Sequence, residues 1–270
     1  MKMRYYSKSF PSLDEFARFL ESGTIQPLFD RGEKTASVAG SASWSGTKDF
    51  EESNDLLRFG DREHARLLVG GVSVPGAVTE SIRARRVRCV AGSSVNVAAA
   101  LAGRPKSMYK IVRKKVAAKV VNVCYDVCVG SNIKPGEMSA AAVKMANVIL
   151  SLERAGYQVN LYAAACTTAG NEAAGCFIRI KSAGQYCDVS RLAYCLVHPS
   201  FLRRSSFRFL EVLPGLSESR WIPGYGSANL DRAIVRELAA AAGISAGRSF
   251  NFYDVRRMDE AAIAAAVLAA

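Results

Sequence analysis

The first 70 residues carry apolar positions spaced three and four apart, which is the pattern of short amphipathic helices. A capping box begins at Ser12, and the helix that it predicts ends near Gly23. Thr47 and Asp61 precede two further apolar runs and are the predicted N-caps of a second and a third helix. Residues 1–70 are therefore predicted to form a small helical region.

The pattern changes in the second half of the chain, where β-branched apolar runs alternate with helical spacing. A strand at 119–126, a helix from Ser139 to about residue 155 and a strand at 157–162 make a β-α-β unit, which requires parallel strands. The later predicted elements, in chain order, are a strand at 175–181 that forms a hairpin with its predecessor, helices at 189–197 and 230–242, a strand at 248–253 and a helix at 259–268. The predicted fold class is α/β: an open, mostly parallel sheet with helices on both faces, preceded by the small helical region.

Three segments follow from these patterns. Residues 1–70 are the small helical N-terminal region, residues 71–118 are a basic linking segment, and residues 119–270 are the α/β domain. Glycine and proline residues at 70–76 interrupt the helical pattern and mark the first boundary.

Charge is distributed unevenly along the chain. The sequence contains 36 Lys and Arg against 24 Asp and Glu, which gives a formal net charge of +12. From Ser81 to Tyr125 there are eleven basic residues and no acidic one, and subtracting these eleven leaves +1 for all other residues. The net positive charge is thus confined to one segment of the chain. A confined positive field acts on a charged binding partner more than the same charge dispersed over the surface does.

The cations form two clusters on either side of a stretch of small residues, and both clusters are candidates for contacts with phosphate groups. We expect them to gather on one exposed patch and to bind nucleic acid or an acidic protein without sequence specificity, because no base-reading motif is present. The alternative is that they are simply solvated, with 83–88 as an exposed strand and 108–116 as an amphipathic helix. The candidate nucleic-acid-binding residues are Arg83, Arg85, Arg86, Arg88, Arg104, Lys106, Lys110, Arg113, Lys114 and Lys115.

Composition limits the class of protein. Half of the residues are apolar, which is enough to bury a core and excludes a disordered or fibrous chain. No run reaches the roughly 18 to 20 apolar residues that span a bilayer, and the first residues lack a signal-peptide pattern, so a cytoplasmic protein without membrane partners is expected. Seven cysteines without a C-x-x-C pair predict reduced, mostly buried thiols.

The unit at 120–162 has an acidic residue that closes its first strand, a long helix that ends in Leu-Glu-Arg-Ala-Gly-Tyr at 152–157, and a strand pair after it. With these features it resembles a von Willebrand factor A-like domain. Two pieces nearer the N-terminus, at 44–52 and 95–108, resemble an uncharacterised family of bacteriophage and prophage proteins. The resemblances rest on these short segments, and neither implies a known activity.

The A-like resemblance implies a divalent-cation site after the first strand. That family binds its cation through Asp-x-Ser-x-Ser, and the matching positions here are Asp126, Cys128 and Gly130. Both hydroxyl positions are lost, and a thiol is a soft ligand where Mg²⁺ prefers hard oxygen atoms. Ser131 and Asn132 lie nearby and could substitute in part. The predicted metal residues are therefore Asp126 and Ser131, and no other cofactor is expected.

Other chemistry lacks a complete set of residues. Cys128 as a nucleophile needs a base, and the sequence does not place His64 or His198 near it, so packing is the favoured role of this thiol. The glycine motifs that cradle phosphates are absent. The aromatic loop at 221–227 could stack on a base, but packing of Trp221 in the core is favoured.

These patterns favour a non-enzymatic, phage-type accessory protein that binds nucleic acid or another acidic partner through its basic segment. A divalent-metal-dependent hydrolase or nuclease that uses Asp126 is the first alternative. An assembly or scaffold protein is the second.

Overall fold

A computed structural model describes residues 2–29, 37, 41–68, 82–115, 119–221, 225–228, 231–245 and 247–269 of the chain. The strands of these residues, in chain order, are β1 (Arg4–Phe10), β2 (Ile82–Cys89), β3 (Ser94–Val95), β4 (Met108–Lys115), β5 (Val120–Asp126), β6 (Gln158–Ala169), β7 (Glu172–Lys181), β8 (Ser227–Ala228) and β9 (Arg248–Asn251). The helices are α1 (Leu13–Ser22), α2 (Ala42–Ser45), α3 (Phe50–Phe59), α4 (Arg62–Ala65), α5 (Val97–Leu101), α6 (Pro135–Arg154), α7 (Val189–Val197), a π-helix (Phe201–Ser206), α8 (Phe207–Val212), α9 (Glu218–Trp221), α10 (Arg232–Ala241), α11 (Phe252–Arg257) and α12 (Glu260–Leu268).

The main sheet has the strand order β1-β7-β6-β5-β9, and β8 pairs with β6 off this path. The pairs β1 with β7, β5 with β6, and β5 with β9 are parallel, whereas β6 pairs antiparallel with β7 and β8. The predicted β-α-β unit is therefore confirmed as β5-α6-β6, and the predicted hairpin as β6-β7. From β5 the chain runs through α6 to β6 on one side of β5. It later places β9 on the other side of β5, so the strand order reverses at β5.

Side chains of the central strands alternate between two apolar layers. Val123 and Tyr125 of β5 pack in the larger layer with residues of α1, α6 and α7, whereas Cys124 packs in the smaller layer with Leu238 of α10. This alternation follows from the two-residue period of a strand and buries both faces of the sheet. The predicted fold class, an α/β sheet with helices on both faces, is confirmed.

Helix α6 begins four residues earlier than predicted. Lys134 is its N-cap residue and Pro135 stands in the first turn, where the missing N–H of proline costs nothing. Ser139 lies inside the helix, and its hydroxyl donates to the carbonyl of Val197 at 2.9 Å. Pro135 at the first helical position was thus a better indicator of where this helix begins than Ser139.

The N-terminal caps are partly as predicted. Ser12 caps α1 by accepting from the N–H of Glu15 at 3.2 Å, and Asp61 caps α4. The prediction of Thr47 as the N-cap of α3 is wrong, because Asp49 holds that position and accepts from the N–H of Glu52 at 2.8 Å. A carboxylate beside free helix N–H groups gains from the helix dipole, which a hydroxyl does not.

Strand β1 was missed by the sequence pattern. Residues 4–10 pair in parallel with β7 along their whole length, so the N-terminal region contributes a strand to the main sheet as well as helices. Its polar and apolar residues mix without clean alternation, and the partner strand decides its conformation. The domain boundaries at residues 70 and 118 stay predictions.

A buried polar network ties the N-terminal region to the π-helix. The guanidinium of Arg204 is fully buried and donates to the carbonyls of Ser37 at 2.9 Å and Thr47 at 2.8 Å. The buried Glu211 accepts from the backbone N–H and the hydroxyl of Ser37. Buried charged groups with these partners favour this arrangement of the chain, because losing the partners would leave a charge buried without compensation.

In the part of the chain that the structure describes, none of the helices combines the length and the apolar character that crossing a bilayer requires.

Candidate nucleic-acid interface and sheet-edge cavity

Residues 82–115 form a second, smaller antiparallel sheet in the order β2-β4-β3, which we call the basic arm. Strands β2 and β4 pair along eight positions, from Ile82 opposite Lys115 to Cys89 opposite Met108. The prediction that 108–116 is an amphipathic helix is wrong, whereas the strand predicted at 83–88 is confirmed. Tyr109, Ile111 and the following valine favour a strand, and β2 satisfies the backbone groups of β4.

The register brings the two basic clusters of the sequence together. The first cluster lies on β2 and most of the second on β4, so residues about 30 apart in the chain become neighbours across one ladder. Arg83, for example, stands opposite Lys114. The candidate positions on the paired strands are Arg83, Arg85, Arg86 and Arg88 on β2, and Lys110, Arg113, Lys114 and Lys115 on β4, while Arg104 and Lys106 lie in the segment just before β4.

The cations of the arm whose side chains the structure describes are exposed. None of them lies within ion-pair distance of a carboxylate of the described residues. The arm itself contains ten basic residues and no acidic one. The five described side chains are Arg86, Arg88, Arg104, Lys106 and Lys110. Their charge is therefore not neutralised within the arm, and they are available to a partner.

These cations do not share one face of the arm. Directly opposed residues of an antiparallel pair lie on the same face, and neighbours along a strand lie on opposite faces. Lys110 stands opposite Val87, the position between Arg86 and Arg88, so Lys110 and these two arginines occupy different faces. The expectation of a single exposed patch is wrong, because the clusters lie on strands, whose side chains alternate, and the result is a narrow ribbon with basic residues on both faces.

Apolar side chains are also exposed on the arm. Leu101 is 85% exposed and Val90 is 71% exposed, and Val95, Val97 and Ile111 are exposed as well. A cluster of exposed apolar and basic groups in one segment is unusual for a surface that meets only water.

The second candidate site predicted from the sequence lies at the carboxyl edge of the main sheet. Asp126 closes β5 with its carboxylate buried, and Oδ1 accepts from the N–H groups of Cys128 at 3.0 Å and Cys166 at 3.2 Å. Oδ2 has no hydrogen-bond partner in the described residues. The carboxylate thus ties the loop after β5 to the neighbouring strand β6.

Burial raises the pKa of the Asp126 carboxyl to about 7. Near neutral pH this group is protonated in a large fraction of molecules and then attracts no cation. The predicted cation site at Asp126 and Ser131 stays a prediction. Burial likewise raises the pKa of the Cys128 thiol well above its ordinary value, so this sulfur lacks the thiolate character of a nucleophile.

A cavity of about 600 Å³ lies beyond the carboxyl edge. Cys128, Gly130, Ser131 and Asn132, which the sequence places after the first strand of the α/β unit, all line it. Tyr253, which follows β9, lines the same cavity and accepts from the N–H of Gly130 at 3.1 Å. The cavity therefore occupies the point where the strand order reverses, the usual ligand position in open α/β sheets.

The opposite wall of this cavity comes from residues that sequence reasoning missed. Arg203 of the π-helix donates to the carbonyls of Trp44 and Ile133, and its guanidinium lies 4.4 Å from the centre of the Trp44 ring. Burial lowers the pKa of Arg203 to about 10, which still leaves it charged at neutral pH. No local motif relates positions 44 and 203, so only the tertiary fold shows their contact.

In the aromatic loop at 221–227, of which residues 222–224 lie outside the described residues, Trp221 and Tyr225 pack against other aromatic or buried groups. Trp221 is buried and its indole N–H donates to Glu172 at 2.9 Å, which confirms its predicted place in the core. Tyr225 stacks on Phe207 at 4.2 Å and on Phe29 at 5.3 Å. Tyr225 is thus engaged by two aromatic neighbours, which favours packing over stacking on a base.

The cysteines behave as predicted from their spacing. All seven are free, five are buried, and Cys89 and Cys187 are partly exposed. Thiols in a core act as small apolar groups.

The fold and these locations define an α/β protein with a doubly wound main sheet, a cavity at its carboxyl edge and a basic β-arm. A family model described as a domain of unknown function (DUF7192) matches residues 2–258, and the chain belongs to that family. No curated protein and no solved structure matches the chain. The family match spans the main sheet, the cavity and the basic arm, and it supplies neither an activity nor a bacteriophage or A-like assignment.

Proposed function

We propose that the protein is a non-enzymatic accessory protein that binds nucleic acid through its basic arm. The observation that carries this proposal is the register of β2 and β4, which unites two basic clusters on one ribbon that holds no acidic residue. A positive ribbon without internal counter-charges attracts phosphates and releases their bound counterions on contact.

The shape of the arm supports contact on both of its faces. A two-stranded antiparallel ribbon fits into the major groove of a B-form DNA duplex, where phosphate groups line both sides. Cations on both faces then meet both backbones. The distribution of Arg86 and Lys110 over the two faces suits this geometry better than binding to a flat surface.

Binding of this kind is sequence-nonspecific and sensitive to salt. Phosphate contacts fix position and affinity but do not read bases. The exposed Leu101 and Val90 add apolar contacts without hydrogen-bond specificity. An acidic protein is the remaining partner class that the arm would attract.

The test is a fluorescence-anisotropy titration of labelled duplex DNA, duplex RNA and single-stranded DNA at about 50 mM and about 200 mM salt. The test variant replaces Arg86, Arg88 and Lys110 with Gln. The control variant replaces the exposed Lys134, Arg236 and Arg257 with Gln, which changes the net charge by the same amount outside the arm.

We expect the arm variant to bind at least about tenfold more weakly at the lower salt concentration and to lower the slope of log K against log salt by roughly 2 to 3. The control variant should change both quantities much less. Absence of binding to any nucleic acid at low salt, or equal losses in both variants, would contradict the proposal. A stable oligomer in light scattering that the arm variant dissociates would support the assembly alternative in its place.

We further propose a bacteriophage-type role in the cytoplasm of a host, with the α/β part as a degenerate A-like domain. The sheet order β7-β6-β5-β9, with only β7 antiparallel among these four strands, supports the doubly wound part of this proposal. The genes beside the one that encodes this chain test the role, and neighbours with no phage replication or packaging function would count against it.

A further inference from the structure

Both histidines of the chain lie at the same place. The sequence contains only two, His64 in α4 and His198 at the C-terminal end of α7. Asp61, the N-cap of α4, lies between them. Residues 134 positions apart thus converge with a carboxylate at the junction of two helices, and no local pattern required this.

The potential ligand atoms of the three side chains point at one another. Asp61 Oδ2 is 2.6 Å from His64 Nδ1 and 4.0 Å from His198 Nε2. One ligand atom from each residue can be chosen so that all lie within 4.8 Å of one another. The two imidazole rings are nearly perpendicular, with centres 4.9 Å apart.

The two carboxylate oxygens of Asp61 have different partners. Asp61 Oδ1 accepts from the N–H groups of Glu63 and His64, both at 3.0 Å, and so serves as the helix cap. Asp61 Oδ2 and His64 Nδ1 are buried and pair with each other as an ion pair at 2.6 Å, and neither has a further hydrogen-bond partner in the described residues. A metal ion that binds between them takes the place of the proton that they share, because a ligand must be deprotonated to bind a metal.

The surroundings hold the cluster in place and leave one side open. The side chains of Asp61 and His198 are 5% and 8% exposed, whereas that of His64 is 25% exposed. Gly46 packs so closely on the His198 ring that a Cβ there would come within 2.9 Å of Cε1. The partly exposed His64 ring is therefore the side from which an ion would reach the cluster.

We propose that Asp61, His64 and His198 bind a divalent transition-metal ion, with Zn²⁺ as the ion of choice. Two imidazole nitrogens and one carboxylate oxygen are ligands that Zn²⁺ accepts, whereas Mg²⁺ and Ca²⁺ require oxygen ligands throughout. Three protein ligands leave the fourth position of a tetrahedral site for water or a partner's group.

Ser200 contacts the second ring nitrogen of His198, and its hydroxyl can accept a hydrogen bond in the proton position that binding needs. Its backbone N–H lies 3.2 Å and its hydroxyl 2.8 Å from His198 Nδ1. When Nε2 binds the ion, the imidazole proton resides on Nδ1 and is donated to the Ser200 hydroxyl oxygen, and the bond from the Ser200 N–H is given up. Metal-bound histidines commonly donate their second N–H in this way.

The experiment uses the full chain, freed of metal with a chelator and titrated with ZnCl₂ against a chromophoric competitor dye. Asp61→Asn keeps the Oδ1 acceptor of the helix cap and removes the carboxylate charge. Asp188→Asn is the matched control, because Asp188 caps α7 through the same two N–H contacts with no histidine beside it. His64→Gln removes a second ligand at a partly exposed position.

We expect one Zn²⁺ per chain, at least about tenfold weaker binding in Asp61→Asn and His64→Gln, and unchanged binding in Asp188→Asn. Replacing the partly exposed Cys89 and Cys187 with Ser should leave the affinity unchanged, and the Co²⁺ complex should lack thiolate charge-transfer bands. No binding, a thiolate spectrum, or equal affinity in wild type and His64→Gln would overturn the proposal. Circular dichroism of each metal-free variant separates loss of a ligand from loss of fold.

Discussion

Asp126 shows how one buried side chain connects position, charge and stability. Its Oδ1 holds the loop after β5 and strand β6 through two backbone N–H groups, and that loop lines the sheet-edge cavity. Burial without a cationic partner among the described residues makes its charged form costly. The residue is an anchor whose protonation is linked to folding.

The pH dependence of stability follows from this. The folded-state pKa of Asp126, about 7, lies above the unfolded value of about 4, so between these limits the folded chain binds more protons than the unfolded chain. The contribution of Asp126 to stability is therefore greatest below about pH 4 and falls as pH rises toward 7, by at most about 1.4 kcal/mol per pH unit.

The prediction is that Asp126→Asn, which keeps the Oδ1 acceptor and cannot ionise, gains stability relative to wild type between pH 5 and pH 8. Urea unfolding at several pH values measures the difference, and parallel curves for the two proteins would contradict it. The same variant addresses the cation alternative: an Mg²⁺-induced rise in Tm in wild type, absent from Asp126→Asn, would restore the metal-dependent hydrolase.

At the scale of elements, helix starts reflect local chemistry. Ser12 accepts from the N–H of Glu15, whereas Ser41, the N-cap of α2, makes no such side-chain bond. We predict that Ser12→Ala lowers the free energy of unfolding by about 1 kcal/mol, because one helix N–H loses its acceptor. Ser41→Ala is the matched control and should change it by less than about 0.5 kcal/mol. Equal effects in urea titrations of the two variants would refute the cap assignment.

The basic arm shows where local pattern fails. The positions from Met108 onward fit the face of an amphipathic helix and also fit a strand, because a short run of mixed residues satisfies either period. Pairing with β2 decides between them, and that partner lies about 20 residues earlier. The sequence identified the basic residues, but only the ladder showed that the two clusters are one surface and that it has two faces.

At the scale of the whole molecule, the N-terminal residues form part of the main sheet, whereas the basic arm is a separate sheet. Strand β1 pairs with β7, and Phe10, Phe16 and Leu20 lie in the same core layer as Ile178, so the N-terminal residues complete the main sheet. The two ends of the arm, by contrast, stand opposite each other as Ile82 and Lys115. An antiparallel pair of this kind is about 5 Å apart, so a short linker can replace the arm.

We predict that a chain in which a Gly-Ser linker replaces residues 82–115 unfolds cooperatively, with a Tm within about 4 °C of wild type, a shift that corresponds to about 1 kcal/mol. A fragment of residues 119–270 should not show a cooperative transition, because it lacks β1 and α1 and exposes the core against which they pack. Thermal unfolding of the linker variant and of the fragment, monitored by circular dichroism, tests both expectations. Cooperative folding of the fragment would establish the domain boundary at residue 118.

The sequence by itself determined the features that depend on near neighbours. The β5-α6-β6 unit, the caps at Ser12 and Asp61 and the confined basic charge all arise from residues a few positions apart, whose spacing sets local conformation. Tertiary structure decided the rest: the pairing of β1 with β7, the wall that Arg203 gives the cavity, and the meeting of His64 with His198. These contacts join distant residues, and the free energy that selects them comes from burial of the whole core, which no local pattern contains.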